Sequence, residues 1–207
     1  MTLNPVKEKY DYLAHLYEIR WKGYLEATHK VAIELLEPKA DDIILDASGG
    51  TGLLIESIIS RTGREGKFYL TDISREMLSI AQERLKQYKN VFISQQEVHY
   101  LDFADNYFSK VLCVSSFHYY TEPDRALGNF HRIIKPDGSL IIVDWCNDAF
   151  HFKLFNILLK LLSKYHANIY SSNELKSLIE KSNFKIEKII NFKHGLWSLV
   201  GLRARKI

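Results

Sequence analysis

Cysteine is scarce in this chain, with two among 207 residues. Cys113 and Cys146 sit in separate apolar runs, form no C-x-x-C pair and have no histidine at metal-ligand spacing. The expectation is therefore two buried free thiols in a reducing cytoplasm, and no metal site. Long apolar runs are also lacking. No 18-residue apolar span occurs, and the opening "MTLNPVKEKYDYLAH" has no signal-like apolar core. This argues against stable membrane insertion. Charge of one sign is lacking too: 28 Lys and Arg stand against 25 Asp and Glu, a net +3. So mild and scattered an excess describes a solvated surface better than a nucleic-acid groove. No repeat or low-complexity tract appears. The 46% hydrophobic and 26% charged content is that of an ordinary globular chain of one domain, with or without an added cap.

The periodicity then divides the chain. The first 40 residues read as helix, with Tyr10, Leu13, Ala14 and Tyr17 at helical spacing, and a second helical pattern runs through "YLEATHKVAIELL" to stop before Pro38. Short β-rich runs follow at 43–46, 67–71, 91–95, 110–116 and 139–145. Helical patterns at 53–61, 74–85 and 122–134 separate most of them, while the link after the third run reads as loop. Ser74 stands at an N-cap position, and Ser171 with Glu174 at capping-box spacing. Such alternation predicts an α/β fold: a Rossmann-like three-layer αβα sandwich around a mostly parallel, seven-stranded sheet. Two closing runs, "FKIEKIINFK" and "LWSLVGLRARK", are joined through His194-Gly195, too short a link for parallel strands. They predict a C-terminal antiparallel hairpin.

One stretch carries chemistry. "DASGGTG" (46–52) follows the first β run, where a doubly wound sheet binds its ligand. Glycine there lets the backbone approach a ligand without an intervening Cβ. The dinucleotide pattern G-x-G-x-x-G would use Gly50 and Gly52, but its third glycine falls on Ile55, which argues against NAD. The alternative, acidic-x-G-x-G-x-G, is met as Asp46-x-Ser48-x-Gly50-x-Gly52.

This loop resembles the first motif of class I S-adenosylmethionine (SAM)-dependent methyltransferases, usually L-D-x-G-C-G-T-G. "TDISREML" (71–78), "LDFADNYFSKVLCVSSFHYY" (101–120) and "RIIKPDGSLIIVDW" (132–145) are similar to later motifs, the last to R-V-L-K-P-G-G-x-L of small-molecule enzymes. "YDYLAHLYEIRW" (10–21) resembles the lead-in whose tyrosines close over the cofactor. The resemblance runs from about Tyr10 to the last strand and is densest over 43–145. It implies SAM as cofactor, S-adenosylhomocysteine as product and a single 1–207 domain. Within that domain, 1–40 would be a helical cap, 41–145 the cofactor-binding core and 146–207 a cap helix, a helix and the hairpin. The implied cofactor residues are Tyr10 and Tyr17; the loop residues Asp46, Ala47, Ser48, Gly49, Gly50 and Gly52; Asp72 for the ribose hydroxyls; Ile73 and Val98 around adenine; Met77; Glu97 for the adenine amino group; and Ser115 and Ser116. Three positions depart from the pattern. Ser48 replaces a glycine, with Gly49 available to carry any left-handed backbone in its place. Ser109 replaces an Asp, and Asp137 replaces a glycine.

A sulfonium methyl is already electrophilic, so transfer is an in-line displacement needing alignment and exclusion of water. A base is required only for a weakly acidic acceptor. His118, just past the fourth strand on the expected acceptor rim, is the candidate, since imidazole exchanges protons near neutral pH. Tyr119, Tyr120 and Asp144 share that rim, and the other seven histidines read as surface or core. The apolar, lysine-bearing run 150–166 reads as a helix covering an apolar acceptor or touching a membrane surface. "SSFHYY" (115–120) stands where base-methylating enzymes carry N/D-P-P-Y/F, so nucleic acid is not the expected acceptor. The expectation is a cytoplasmic methyltransferase for a small apolar or aromatic acceptor. A non-catalytic SAM-binding module and an NAD(P)-linked oxidoreductase remain the alternatives.

Overall fold

The two opening helical patterns form one element. Helix α1 spans Pro5–Leu36 over 32 residues, and Gly23 does not break it. Asn4 caps it by accepting the Val6 and Lys7 N–H groups, and Pro5 occupies the first turn. The computed structural model describes residues 4–63, 65–148 and 168–207. The helix expected over 150–166 lies outside the described residues.

Strand β1 (Ile43–Ala47) leads through the glycine loop into α2 (Leu53–Thr62). Then come β2 (Lys67–Asp72), α3 (Arg75–Leu85) and β3 (Val91–Gln95). A short 3-10 turn, Val98–Tyr100, interrupts the loop before β4 (Phe108–Val114). Another, Phe117–Tyr119, precedes α4 (Pro123–Ile133) and β5 (Ile134–Trp145). Helix α5 (Ser172–Lys181) and the hairpin β6 (Phe184–His194) and β7 (Trp197–Lys206) complete the described chain. Ser74 and the Ser171–Glu174 capping box start α3 and α5 as their spacing predicts.

The seven strands lie in the order β3-β2-β1-β4-β5-β7-β6. The pairs among β1 to β5 are parallel, and β7 runs antiparallel to both β5 and β6. The fold is the Rossmann-like αβα sandwich. Strand β5 starts at Ile134, five residues before the β-rich run, because Ile134 already pairs with Phe108. The turn formers Pro136 and Gly138 are absorbed by a register shift between Phe108 and Lys110, with Asp137 at φ 60°.

Apolar side chains fill both faces of the sheet. One layer gathers β-strand residues with α4 and α5, the other with α1, α2 and α3. At the N-terminal edge, Asp42 accepts from Lys110 Nζ at 2.6 Å and from Ser109 Oγ at 2.8 Å. Ser109 thus donates to an acid where the family motif would carry an acid itself. Strand order reverses between β1 and β4, so the crevice beyond their carboxyl ends is where such a sheet takes a ligand.

Candidate active site

The crevice is a cavity of about 450 Å³ bounded by the glycine loop, the tips of β2 to β4 and the inner face of α1. Its floor is acidic. Asp46, next to last in β1, has 2% of its surface exposed, and its Oδ2 has no hydrogen-bond partner. Burial, and secondarily the charge of Asp72, push this carboxyl up to about 8. Gly49 closes over it: a Cβ there would stand 2.8 Å from Asp46 Oδ2 and from Leu70 Cγ. Only glycine fits between the loop and that carboxylate.

The left-handed backbone sits on Ser48 (φ 62°), Gly50 (φ 56°) and Gly52 (φ 77°), not on Gly49. For serine this conformation costs about 1–2 kcal/mol. A compensating contact is present, since Ser48 Oγ lies 3.0 Å from Tyr120 Oη.

Asp72, at the tip of β2, accepts the Gly50 N–H on Oδ2 at 3.0 Å and the Ser74 N–H on Oδ1 at 2.9 Å. Burial raises its pKa, and these backbone donors work against that. Ser74 Oγ caps Met77 N–H and donates to Asp11 of α1 at 2.6 Å. A second tie comes from Arg84 of α3, which donates to Glu18 of α1, Glu56 of α2 and the Thr51 carbonyl. The long helix is thereby fastened across the cavity.

At the far end, Ile73, Met77 and Val98 form an apolar slot with Glu97 beside it. The buried His99 also lines the cavity. Its Nε2 accepts the Glu122 N–H at 3.4 Å, so Nδ1 carries the proton and donates to Glu97 Oε1 at 3.0 Å. Tyr10 and Tyr17 make an edge contact at 5.8 Å, and Tyr10 does the same with Tyr119. All three line the cavity, as do Ser115 and Ser116. Lys9 Nζ donates to the Tyr119 hydroxyl at 2.8 Å.

Four anticipated residues stand elsewhere. Ala47 is fully buried in the strand core. Gly52 lies outside the cavity lining: it opens α2 at φ 77° and admits Leu85 of α3, which a Cβ would meet at 2.8 Å. It packs helix on helix and does not line the cavity. His118 and Asp144 do not stand on an open rim: each is 3% exposed, and neither lines the cavity. Tyr119 stands against the His118 ring, with centroids 4.0 Å apart. Asp144 accepts His118 Nδ1–H at 2.6 Å and the His118 backbone N–H at 3.0 Å. His118 Nε2 has no partner.

Periodicity missed two residues. His29 lies on α1 at helical spacing from Tyr17 and Leu25 and lines the cavity, with burial pushing its pKa down to about 4. His99 does so too, and neither belongs to the surface-or-core group expected of them. The helical repeat from Tyr17 through Leu25 could have flagged His29. For His99 the local signal is its spacing of two from Glu97, whose side chain it meets, while its contact with Glu122 comes from another segment.

An unpaired carboxylate beneath a bare glycine backbone suits the cationic amino-acid end of SAM, and the apolar slot beside Glu97 suits its adenine. The comparisons agree. A methyltransferase-domain family profile matches residues 44–138. The ubiquinone/menaquinone biosynthesis C-methyltransferase UbiE of Neisseria meningitidis is 31% identical over 173 residues, covering 77% of this chain and 71% of the relative. The [4+2]-cyclase SpnF superimposes with TM-score 0.82 at 15% identity, covering 98% of this chain and 95% of that one. A SAM-dependent methyltransferase from Aquifex aeolicus does so at 0.69 and 22% identity, covering 87% and 89%. These last two speak for the fold alone. The chain belongs to the class I SAM-dependent methyltransferases. Its cofactor is SAM, which supplies an electrophilic methyl group for transfer to an acceptor.

Proposed function

We propose that the acceptor is a small, electron-rich aromatic molecule of the reduced-quinone type, methylated at carbon. The C-methyltransferase of ubiquinone/menaquinone biosynthesis in Neisseria meningitidis, to which this chain is similar, supports this choice. The observation that carries it is the aromatic wall. Tyr10, Tyr17 and Tyr119 face the cavity, and behind Tyr119 His118 is stacked on Trp145 (4.3 Å), which is stacked on Trp197 (4.7 Å). Flat, apolar rings recognise a flat, apolar ring.

In this reading the cofactor's ribose is held by Asp72, its adenine by Glu97 between Ile73, Met77 and Val98, and its cationic end by Asp46. Gly49 and Gly50 let the backbone approach, and Ser48, Ser115 and Ser116 border the sulfur end. Tyr10 and Tyr17 exclude water from above. Asp46 ionises as positive charge settles over it, because a nearby cation offsets the burial that keeps it neutral. The two buried thiols support a reducing cytoplasm as the site of action. Among the described residues no helix is long and apolar enough to cross a membrane.

The test is S-adenosylhomocysteine formation with 1,4-naphthohydroquinone, kept reduced, against histamine and a short DNA duplex. Turnover of the hydroquinone with a new carbon–methyl bond is expected. Turnover of the amine or the DNA alone would overturn the reading.

A further inference from the structure

The cavity is lined by three carboxyl side chains, Asp46, Asp72 and Glu97, and by no lysine or arginine among the described residues. Two histidines, His29 and His99, are the lining side chains that can become cations. His99 is engaged at the adenine end by Glu97 and Glu122. His29 faces the start of α2 instead. With Leu25 of α1 and Leu53 of α2 it borders both this cavity and a groove of about 640 Å³ between the two helices. No hydrogen bond or neighbouring charge acts on its ring: burial alone pushes its pKa down to about 4.

The amino-acid end of SAM carries an ammonium and a carboxylate. Asp46, with its Oδ2 unpartnered, complements the first. The second needs donors or a cation, because a desolvated carboxylate among acidic side chains is unfavourable. Helix α2 offers part of what is needed. Gly52 stands at its N-cap without a side-chain bond, so its first-turn N–H groups are uncapped where Thr51, Leu53 and Leu54 line the cavity. Such a helix start favours an anion. An unpartnered imidazole beside it offers the rest.

We propose that His29 takes up a proton when the cofactor binds and, with the first turn of α2, holds the cofactor's carboxylate. This rests on the placement of the cationic end over Asp46 and not on the identity of the acceptor. In the empty cavity the imidazole is neutral at neutral pH. A carboxylate against it favours the charged form and raises its pKa. Linkage fixes the sign: between the free and bound pKa values, the complex binds the extra proton, so affinity rises as pH falls. On the groove side the charged groups near His29 are Glu18, Lys22, Glu26 and Lys30 of α1 and Arg61 of α2. On the cavity side they are Asp46 and Asp72. All of these meet equally two ligands that differ only in the carboxylate, so such a pair isolates His29.

Calorimetry compares S-adenosylhomocysteine with its decarboxylated analogue, which keeps the amine, in wild type, His29→Phe and His29→Gln. Both ligands place an ammonium over Asp46, so its own pH dependence cancels in the ratio of their dissociation constants. In wild type S-adenosylhomocysteine should bind more tightly, and its advantage should grow about 10-fold from pH 8 to pH 6. His29→Phe should lose most of that advantage while binding the decarboxylated analogue within about twofold of wild type. His29→Gln keeps a donor without a basic nitrogen, so it should retain part of the advantage and none of its pH dependence. A merely structural role would weaken both ligands alike. A wild-type ratio that does not change with pH, or an equal loss for both ligands in both variants, overturns the proposal. The deaminated analogue, which keeps the carboxylate, reads the Asp46 placement separately. If it binds wild type as tightly as S-adenosylhomocysteine, that placement falls, and the ratio above still decides His29.

Discussion

The hydroxyl of Ser48 lies 3.0 Å from the hydroxyl of Tyr120, joining the glycine loop to the segment after β4. Tyr120 Oη also meets Cys113 Sγ and Ser116 Oγ, each at 3.3 Å, so a buried polar knot underlies the cofactor loop. Ser48→Gly removes left-handed strain and one hydrogen bond together, and the two changes offset to within about 1 kcal/mol. Ser48→Ala keeps the strain and loses the bond, and should destabilise by about 1–2 kcal/mol. Urea denaturation of both variants, with Tyr120→Phe as partner in a double-mutant cycle, checks this. Equal stability of the Gly and Ala variants would refute it.

Asp46 makes stability depend on pH. Its folded pKa, about 8, stands above the ordinary carboxyl value of 3.8, so the folded state binds the extra proton between those values. The stability this contributes is fully present below about pH 4 and is lost as pH rises toward 8, at on the order of 1 kcal/mol per pH unit. Asp46→Asn cannot ionise. Without cofactor it should be more stable than wild type at pH 8, and the gap should close toward pH 4. The same variant should bind SAM at least about 10-fold more weakly, having lost its charge. Denaturation across pH and calorimetry with SAM read the two effects.

His99 should act on adenine only through Glu97. Glu97→Gln and His99→Phe are each expected to weaken SAM binding about 5-fold to 10-fold. Together they should be no worse than either alone, because the hydrogen bond they share is lost once. Additive losses in calorimetric titrations would show that His99 has a contact of its own.

The Asp42–Lys110 pair, with both side chains 8% exposed, sits at the opposite edge of the sheet from the cavity. Asp42→Asn leaves a buried ammonium without its counter-charge and should cost about 3–5 kcal/mol. SAM affinity of the folded fraction should be unchanged. A thermal melt and a titration of the same sample separate stability from function.

Much of the fold was legible in local pattern. The alternation of period 2 and period 3.6 placed the described strands and helices, and capping residues located the starts of α3 and α5. The strand ends were less legible: Pro136 and Gly138 read as breakers, yet strand pairing carried β5 through them. At the site, Asp46 and Asp72 were legible as acids at the carboxyl ends of β runs, whereas Glu97 was implied by the family resemblance. Gly52 could not be separated from Gly50 by spacing. What distinguishes them is whether another helix or open space lies above the Cα, and Leu85 comes from 33 residues away.

Determined by the sequence alone were the layered α/β architecture, the turn that brings bare backbone to a ligand, and the carboxylates around it. These depend on interactions between neighbours in the chain, where periodicity and backbone freedom act. Tertiary structure alone decided that α1 lies across the cavity, that Ser48 is held by Tyr120, and that His118 is buried against Asp144 with Nε2 unpartnered. Each of these joins segments far apart in the chain, and a hydrogen bond depends on distances of a few tenths of an ångström that only the packed core sets.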